Sequence, residues 1–492
     1  MNGTVDVDVV RGVLEEALRA WLPRQRWYGG GQAIRAVHID ELSSVGEGAP
    51  DVAVCVVGVE HEDGLRATYN VPIAVGSPSG VRPSDPAAVI HDDDGTLIFD
   101  ALADARTAGP LWRILARGDD VQLREGRLAV GGDGLEAATA DIAPLPREQS
   151  NTSLVVGSRH LLKVMRKLAF EPSVELEMTR ALAEAGFDHL APPEAWMHYE
   201  RDDQPHGALV ALAQPFLHNG TEGWTLALTS LRDLYADAEE HTGGDAAQRT
   251  QAVEDAGGSF TPDAARLGDI TAQMHLALAQ ARGADLVAQP ITSTLLAEWA
   301  DEILADLDGL IASSEPAVRE VAGHRPALEA RISAIRTLHD PGLAIRIHGD
   351  YHLGQVLRTD AGWTVLDFEG EPRRTVEHRR RRHSPLRDVA GMLRSFDYAA
   401  SVALIERITP ADPSWAHLWA HGRTWATANR EAFWAAYVER AAGTALLPDP
   451  GAALTLRRAF EIQKAVYEVG YEMAHRPNWV AVPVGFLVEA TA

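Results

Sequence analysis

The sequence predicts an α+β chain of two or three domains, with strands concentrated before about residue 217 and helices dominating after about residue 226. Three observations support this. The 492 residues exceed what a single core usually holds, and 46% of them are apolar, enough to fill more than one. Short β-rich runs broken by glycine recur from Val37 to Ile73, from Leu154 to Met165 and from Ala208 to Leu217. From Leu226 onward, apolar residues fall mostly at helical spacing.

Val9 to Leu22 carries its apolar residues at helical intervals and is expected to stop at Pro23. Gln25 to Gly31 follows, with three glycines after Trp27-Tyr28. No Lys-Ser/Thr follows them and no strand precedes them, so a turn beside a packed aromatic pair is the expectation. The runs Ala53–Val57 and Ala67–Ile73 predict an antiparallel sheet, and Leu97 to Ala116 reads as helical bridging material. Leu154–Gly157 and Leu161–Met165 form two strands around a turn. Pro172-Ser173 opens a helix to about Ala185, and Ala208–Leu217 is an apolar strand running into a break. Glu239 to Gly258 reads as an exposed loop. Leu267–Leu276, Leu295–Leu310 and Pro326–Leu338 are helices, with His275 a core or capping histidine. The basic run Arg373–His383 reads as a solvated loop, and the helix starting at Ser384 carries a structural Asp388.

The chemistry concentrates in RIHGDYHLGQVLRTDAGWTVLDFEGEP, Arg346 to Pro372. His348-Gly349-Asp350 is followed five residues later by Gln355. A β-hairpin turning at Thr359–Gly362 then leads to Asp367-Phe368-Glu369. Phosphoryl transfer needs such a set: a group to take the proton of the attacking hydroxyl, and oxygen ligands for Mg²⁺ bound to ATP. Asp350 suits the first role, with His348 bracing its loop. Gln355 and Asp367 suit the second, with Glu369 behind them. Protein kinases use H-R-D-x-x-x-x-N and D-F-G for these roles. A lysine in an apolar strand is costly unless it meets a charge, so Lys163 is the candidate for the phosphates, with Glu177 as its partner and Glu175 second. The polar loop Ser150, Asn151, Thr152 and Ser153 would cover the phosphates. Gln214, Phe216 and Leu217 stand where a hinge would read adenine, although an ordinary strand-to-helix loop has the same pattern. Near the C-terminus, Lys464, Tyr467, Glu468, Tyr471 and Glu472 share or adjoin one helix face, with Arg476 and Trp479 after them. That face fits a sugar, and equally a helix packed between subdomains.

A net charge of −25 argues against nucleic acid or anionic membrane as a main partner. The single cysteine, Cys55, excludes an internal disulfide. No stretch of about 18 apolar residues and no signal-like N-terminus is present, so a cytoplasmic protein is expected.

HGDYHLGQVL with VLDFEGEP closely resembles actinobacterial maltokinases, within the aminoglycoside-phosphotransferase-like kinase superfamily. QSNTS, LKVMR, VELE and the segments 346–400 and 464–483 are similar to that family as well. The early Arg-aromatic-glycine stretch also matches, with Gln32 where a basic residue is often found. The resemblance implies a bilobal protein-kinase-like fold: an N-terminal cap at 1–90, the rest of an N-lobe at 91–217, a mainly helical C-lobe at 218–492, and ATP between the lobes. It implies ATP and Mg²⁺ as cofactors and maltose as substrate, converted to maltose 1-phosphate for α-glucan synthesis. The disaccharide would lie against Asp350, His352, Lys464, Tyr467, Glu468, Tyr471, Arg476 and Trp479. Trehalose synthase is implied as the partner that makes maltose. The alternatives are a glucosamine kinase, an aminoglycoside phosphotransferase and a non-catalytic kinase-like scaffold. Glucosamine kinases carry a different pair after the metal Asp-Phe, whereas this chain has Glu369-Gly370-Glu371-Pro372. Aminoglycoside phosphotransferases generally lack the cap.

Overall fold

A computed structural model describes residues 7–29, 33–45, 50–77, 79–93, 95–132, 134–135, 141–145, 151–240, 245–255, 260–283, 285–313, 315–371 and 374–491. The chain divides into two compact units. One comprises residues 1–173 and 191–217, the other 174–190 and 218–492.

The first unit holds two antiparallel sheets. Helix α1 (Val7–Trp21) leads into β1 (Ile34–Ser44), β2 (Asp51–His61), β3 (Arg66–Asn70), β4 (Ile73–Gly76), β5 (Val89–Asp92) and β6 (Leu97–Asp100). β2 sits centrally, pairing with β1, β3 and β4, and β6 lies between β4 and β5. α1 buries Leu14, Leu18 and Trp21 against this sheet, and Trp27 and Tyr28 pack on Tyr69 with ring centroids 6.1 and 5.2 Å away. Gly30 and Gly31 of the glycine run, and Gln32, lie outside the described residues.

Leu97–Asp100 is thus a strand rather than the expected helix. Leu97, Ile98 and Phe99 are all buried, and a short continuous apolar run has no period to separate strand from helix. The helix starts later, as α2 (Ala105–Arg117), where Asp104 accepts the Arg106 N–H at 2.9 Å as its N-cap.

The second sheet is ordered β7 (Val121–Gln122), β8 (Arg127–Gly132), then β13 (Ala195–Glu200), β14 (Ala208–Pro215), β11 (His160–Met165), β10 (Asn151–Val156) and β9 (Ile142–Leu145). β12 (Lys167–Leu168) leaves this sheet and adds to β3 of the first. The crossing is held by Arg166, whose buried guanidinium donates to Asp100 at 2.5 Å and to Thr152 at 2.7 Å. The cap sheet therefore ends at Asp100, past the expected boundary at residue 90, and takes back two residues of the later chain.

The second unit begins with α3 (Val174–Glu184). The segment to Leu190 belongs here because the His189 carbonyl accepts the Val365 N–H at 2.8 Å and α3 packs on the helix Thr261–Ala279. Then come β15 (Thr221–Glu222), α4 (Gly223–Glu240), α5 (Ala246–Asp255), α6 (Thr261–Ala279), β16 (Gln289–Pro290), α7 (Ser293–Ala312), α8 (Arg319–Ser333) and β17 (Leu343–Ala344). They are followed by β18 (Val356–Thr359), β19 (Gly362–Val365), α9 (Val376–Arg379), α10 (Leu386–Ile405), α11 (Trp415–Ala441), α12 (Pro450–His475) and α13 (Ala481–Glu489). α10 is the central helix: it is buried along nearly its whole length and packs on α4, α11 and α12. The β18–β19 hairpin turns at Asp360-Ala361, as its sequence predicts.

Two sequence expectations fail here. α5 occupies part of the segment read as a loop. The basic run, of which Arg373 lies outside the described residues, is not a solvated loop from residue 374 on either. Arg379 donates to the Glu369 carbonyl at 3.0 Å, Arg382 to the Val287 carbonyl at 2.7 Å, and Arg380 pairs with Glu177 and Asp285. Their partners lie up to about 200 residues away in sequence, where local charge counting cannot see them.

Candidate active site

The loop after β17 is fixed from three sides. Ile345 forms an antiparallel bridge with His383. Gly349 has φ +83°, a left-handed conformation that glycine adopts without steric cost, which accounts for Gly in the position that protein kinases give to Arg. The N–H groups of His348 and Gly349 donate to the two oxygens of Asp388 at 2.8 and 2.9 Å. Asp388 sits in the first turn of α10, where the helix dipole favours an anion. Burial pushes its carboxyl up, but the hydrogen bond and charge of His275 outweigh burial, so it titrates below the usual carboxylate range. His275 is in turn 2.9 Å from the Tyr437 hydroxyl. His275 and Asp388, read as structural, are the anchor of the loop.

His348 Nε2 donates to the Leu366 carbonyl at 2.8 Å, and its Nδ1 faces the Asp350 N–H at 3.4 Å. With both ring nitrogens engaged and its ring 4.9 Å from that of Phe368, His348 is a brace. Tyr351 reaches Thr271 at 2.9 Å, and a Cβ on Gly391 would stand 2.6 Å from the Tyr351 carbonyl, so α10 approaches the loop as closely as glycine permits.

Asp350 projects from this frame. Lys464 Nζ of α12 is 3.1 Å from Oδ1, and His352 Nε2 is 3.9 Å from Oδ2. Burial raises the Asp350 carboxyl, but Lys464, His352 and the hydrogen bond lower it further, so it stays ionised. Burial pushes His352 down to about 4. Its Nδ1 accepts the Gly354 N–H at 3.0 Å, which leaves the proton on Nε2, facing Asp350.

Across the hairpin, Gln355 Nε2 donates to Asp367 Oδ2 at 3.1 Å, and Asp367 holds φ +59°. That bond leaves the Gln355 amide oxygen and the second Asp367 oxygen as a sparse pair of hard donors, a set suited to Mg²⁺ completed by phosphates and water. Glu369 follows two residues on, half-buried. Among the described residues no cluster of three or more His, Cys, Asp or Glu could hold a metal ion.

Beside Asp350 opens a cleft of about 530 Å³. One wall is α12 and the turn after it, with Lys464, Tyr467, Glu468, Tyr471, Arg476 and Trp479. Tyr467 and Tyr471 stack at 6.3 Å, and the Arg476 guanidinium lies 4.1 Å over Trp479. Glu468 accepts from Arg394 at 2.7 and 3.2 Å. Glu472 accepts from Arg476 at 2.7 and 2.9 Å and from the Tyr398 hydroxyl at 3.0 Å. The structure brings all the proposed sugar-site residues to one cleft with His352 and adds Glu222, Trp224 and Tyr398. Tyr398 carries no local signal, being an isolated residue on α10.

The nucleotide candidates of the first unit lie on its second sheet. Lys163 on β11 stands opposite Ser153 of β10 on one side and Leu212 of β14 on the other. Ser153 is buried, Asn151 and Thr152 are half-buried, and Ser150 lies outside the described residues. Gln214 is buried and donates to the Ala191 carbonyl at 2.9 Å. The Phe216 N–H is bonded to the Arg159 carbonyl at 2.7 Å and is thereby occupied, while Leu217 is half-buried. Glu177, expected opposite Lys163, takes two bonds from Arg380 at 2.6 and 3.0 Å and one from Arg346 at 3.3 Å.

Residues 21–104 match the family described as the maltokinase N-terminal cap domain. The chain is 30% identical over 464 residues to a glucosamine kinase of Streptacidiphilus jiangxiensis, covering 91% of this chain and 90% of that one. It is 27% identical over 345 residues to a glucosamine kinase of Mycolicibacterium smegmatis, covering 69% and 77%. A solved structure of glucosamine kinase in complex with glucosamine, ADP and inorganic phosphate superposes with a TM-score of 0.67 at 25% identity, over 99% of each chain. The full-length match to a relative at 30% identity and the shared capped α+β fold place the chain: it carries a maltokinase-type N-terminal cap, belongs to the family of the glucosamine kinases, and is a sugar phosphotransferase.

Proposed function

We propose that the protein transfers the γ-phosphoryl group of ATP to the anomeric hydroxyl of maltose, giving ADP and maltose 1-phosphate. The observation that carries this reading is the cleft beside Asp350. Its α12 wall runs from Lys464 to Tyr471, about 10 Å at 1.5 Å per residue, and continues to Trp479. Aromatic faces along such a wall suit the C–H faces of two successive pyranose rings. Three of its carboxylates, Asp350, Glu468 and Glu472, already face Lys464, Arg394 and Arg476, an arrangement that favours a neutral sugar over a cationic one.

In the reaction the sugar O–H bond breaks, the O–P bond forms and the bond from the γ-phosphorus to ADP breaks. The proton passes to Asp350, which is ionised and ready to accept it, while the Lys464 ammonium lies within reach of the developing charge on the sugar oxygen. Gln355 and Asp367 would hold Mg²⁺, which when bound neutralises phosphate charge. Lys163 is assigned to the phosphates, and Asn151, Thr152 and Ser153 to the loop that covers them. The same reading has a cytoplasmic enzyme feeding α-glucan synthesis, with trehalose synthase as the source of maltose.

A second reading, glucosamine phosphorylation, is favoured by the named relatives and by Glu222, an exposed cleft carboxylate with no ion pair among the described residues. ADP release with Mg·ATP is to be measured across maltose, glucose, glucosamine and kanamycin, on wild type, Asp350→Ala and Glu222→Gln. Turnover of maltose that Asp350→Ala abolishes supports the proposal. Turnover of glucosamine, weakened by Glu222→Gln, replaces it with the second reading. Nucleotide binding with no turnover of any sugar refutes both.

A further inference from the structure

A second cavity of about 530 Å³ lies among α8, α10, α11, α12 and α13, and the proposed reaction makes no use of it. Arg331, Arg423, Arg430, Arg457 and Arg458 line it, against the carboxylates of Asp397, Glu461 and Glu489. In a chain of net charge −25 this is a local excess of cation. The charges are arranged as a chain. Arg430 bridges Asp397 at 2.7 Å and Glu461 at 2.8 Å. Arg457 Nε lies 3.2 Å from Glu461 Oε1 but misaligned, so both atoms are buried without a hydrogen bond. Burial pulls the Arg457 guanidinium down, and although Glu461 opposes this, Arg430 and Arg458 add to it. Arg458 is exposed and makes no ion pair among the described residues. Arg423 pairs with Glu489 at 2.8 Å, so it is Arg458 that is left over, and an unsatisfied buried donor beside that exposed guanidinium calls for an acceptor with several oxygens.

We infer that this cavity is a regulatory site for a small phosphate monoester, and that it communicates with the sugar cleft through Arg394. The apolar wall of Ile462 and Phe486 suits the organic part of such a ligand, either a sugar or a nucleoside. The coupling follows from Asp397 Oδ2, which is shared: it is 2.7 Å from Arg430 and 3.5 Å from Arg394. Arg394 in turn holds Glu468 on the cleft wall at 2.7 Å, with its other face 4.0 Å from Phe486. A phosphate that takes Arg430 leaves Asp397 with Arg394 as its partner, which draws Arg394 off Glu468 and alters the cleft. Affinity for the acceptor sugar is therefore the quantity that changes. The inference stands whichever sugar that is.

The test is calorimetric titration of the full-length protein with glucose 6-phosphate, AMP and inorganic phosphate, on wild type, Arg458→Gln and the Arg423→Gln/Arg458→Gln pair. Arg458 is exposed, so the single variant keeps the fold. The expected result is binding of at least one ester, weakened about tenfold or more in the double variant, as loss of a charge-assisted contact requires. A several-fold change in KM for the acceptor sugar should appear when that ester saturates wild type, and vanish in the double variant. Basal kcat should not differ between the proteins. Glucose 6-phosphate and AMP separate a sugar ester from a nucleotide. Binding equal in wild type and double variant would place the ligand elsewhere and overturn the inference. So would the absence of binding at millimolar ester, or binding without a change in KM.

Discussion

Replacing Asp388 with Asn removes a charge and little volume. The carboxylate accepts three buried donors, the His348 and Gly349 N–H groups and His275 Nε2, at 2.8 to 3.1 Å. An amide has one acceptor oxygen, so whichever way it turns, its NH₂ faces at least one of these donors. A hydrogen bond to a charged group contributes about 1.5–3 kcal/mol, and the two surviving bonds become neutral, so a loss of about 3 kcal/mol of stability is expected. The strained segment is adjacent to Asp350, and a shift of about 1 Å in a reacting group costs about 10²-fold in rate. Asp388→Asn should therefore lower kcat about a hundredfold with little change in KM for either substrate, measured by coupled ADP release. Urea unfolding should show the stability loss at neutral pH. The wild-type Asp388 titrates low, so its contribution is present above the ordinary carboxyl value of about 4 and lost as pH falls through its folded value. The variant lacks that component, and the stability gap should close on acidification. A variant with kcat within threefold of wild type and an unchanged urea midpoint would refute the anchoring role.

Lys464→Met tests the base. Asp350 is held low against burial mainly by Lys464, so without it burial prevails and the acid limb of kcat/KM should move toward neutrality by a pH unit or more. In wild type the pair contributes stability above about pH 4, lost as pH falls through the folded Asp350 value. It is lost again as pH rises through the raised Lys464 value, above about 10.4. Gly349→Ala forces alanine into φ +83° with its Cβ 3.4 Å from Gly370 Cα, so about 1–2 kcal/mol of stability should go, read by thermal or urea unfolding, together with a fall in kcat. Asp367→Asn should raise the Mg²⁺ concentration for half-maximal ADP release about tenfold or more, and EDTA should abolish turnover in wild type; EDTA-resistant turnover would remove Gln355 and Asp367 from the metal role.

What could be read from the sequence was local. His348-Gly349-Asp350, the hairpin that returns Asp367 to Gln355, and the one-face spacing of Lys464, Tyr467, Glu468 and Tyr471 are set by turns and by helix and strand periods, and the structure brings them together. What could not be read depends on distant partners. Asp388 is 38 residues beyond Asp350, and its role shows only once His275 and the loop amides converge on it. Arg394 and Tyr398 look like ordinary helix residues until α12 faces them. The arginines of 379–382 failed as a loop for the same reason: their acceptors are Glu369, Glu177, Asp285 and Val287. Leu97–Asp100 failed differently, since four residues carry too little period to choose between helix and strand.

In protein kinases the glutamate of the helix that follows the lysine strand is a control point, because activity waits for that helix to move into place. Glu177 on α3, the residue the sequence offers for that part, is fastened by Arg380 and by Arg346, and Arg346 lies two residues before His348 at the root of the Asp350 loop. α3 cannot swing without breaking both guanidinium contacts, so it travels with the loop rather than against it. Helix and loop are thereby one mechanical piece within the second unit, and a change at Arg346 or Arg380 is felt by both.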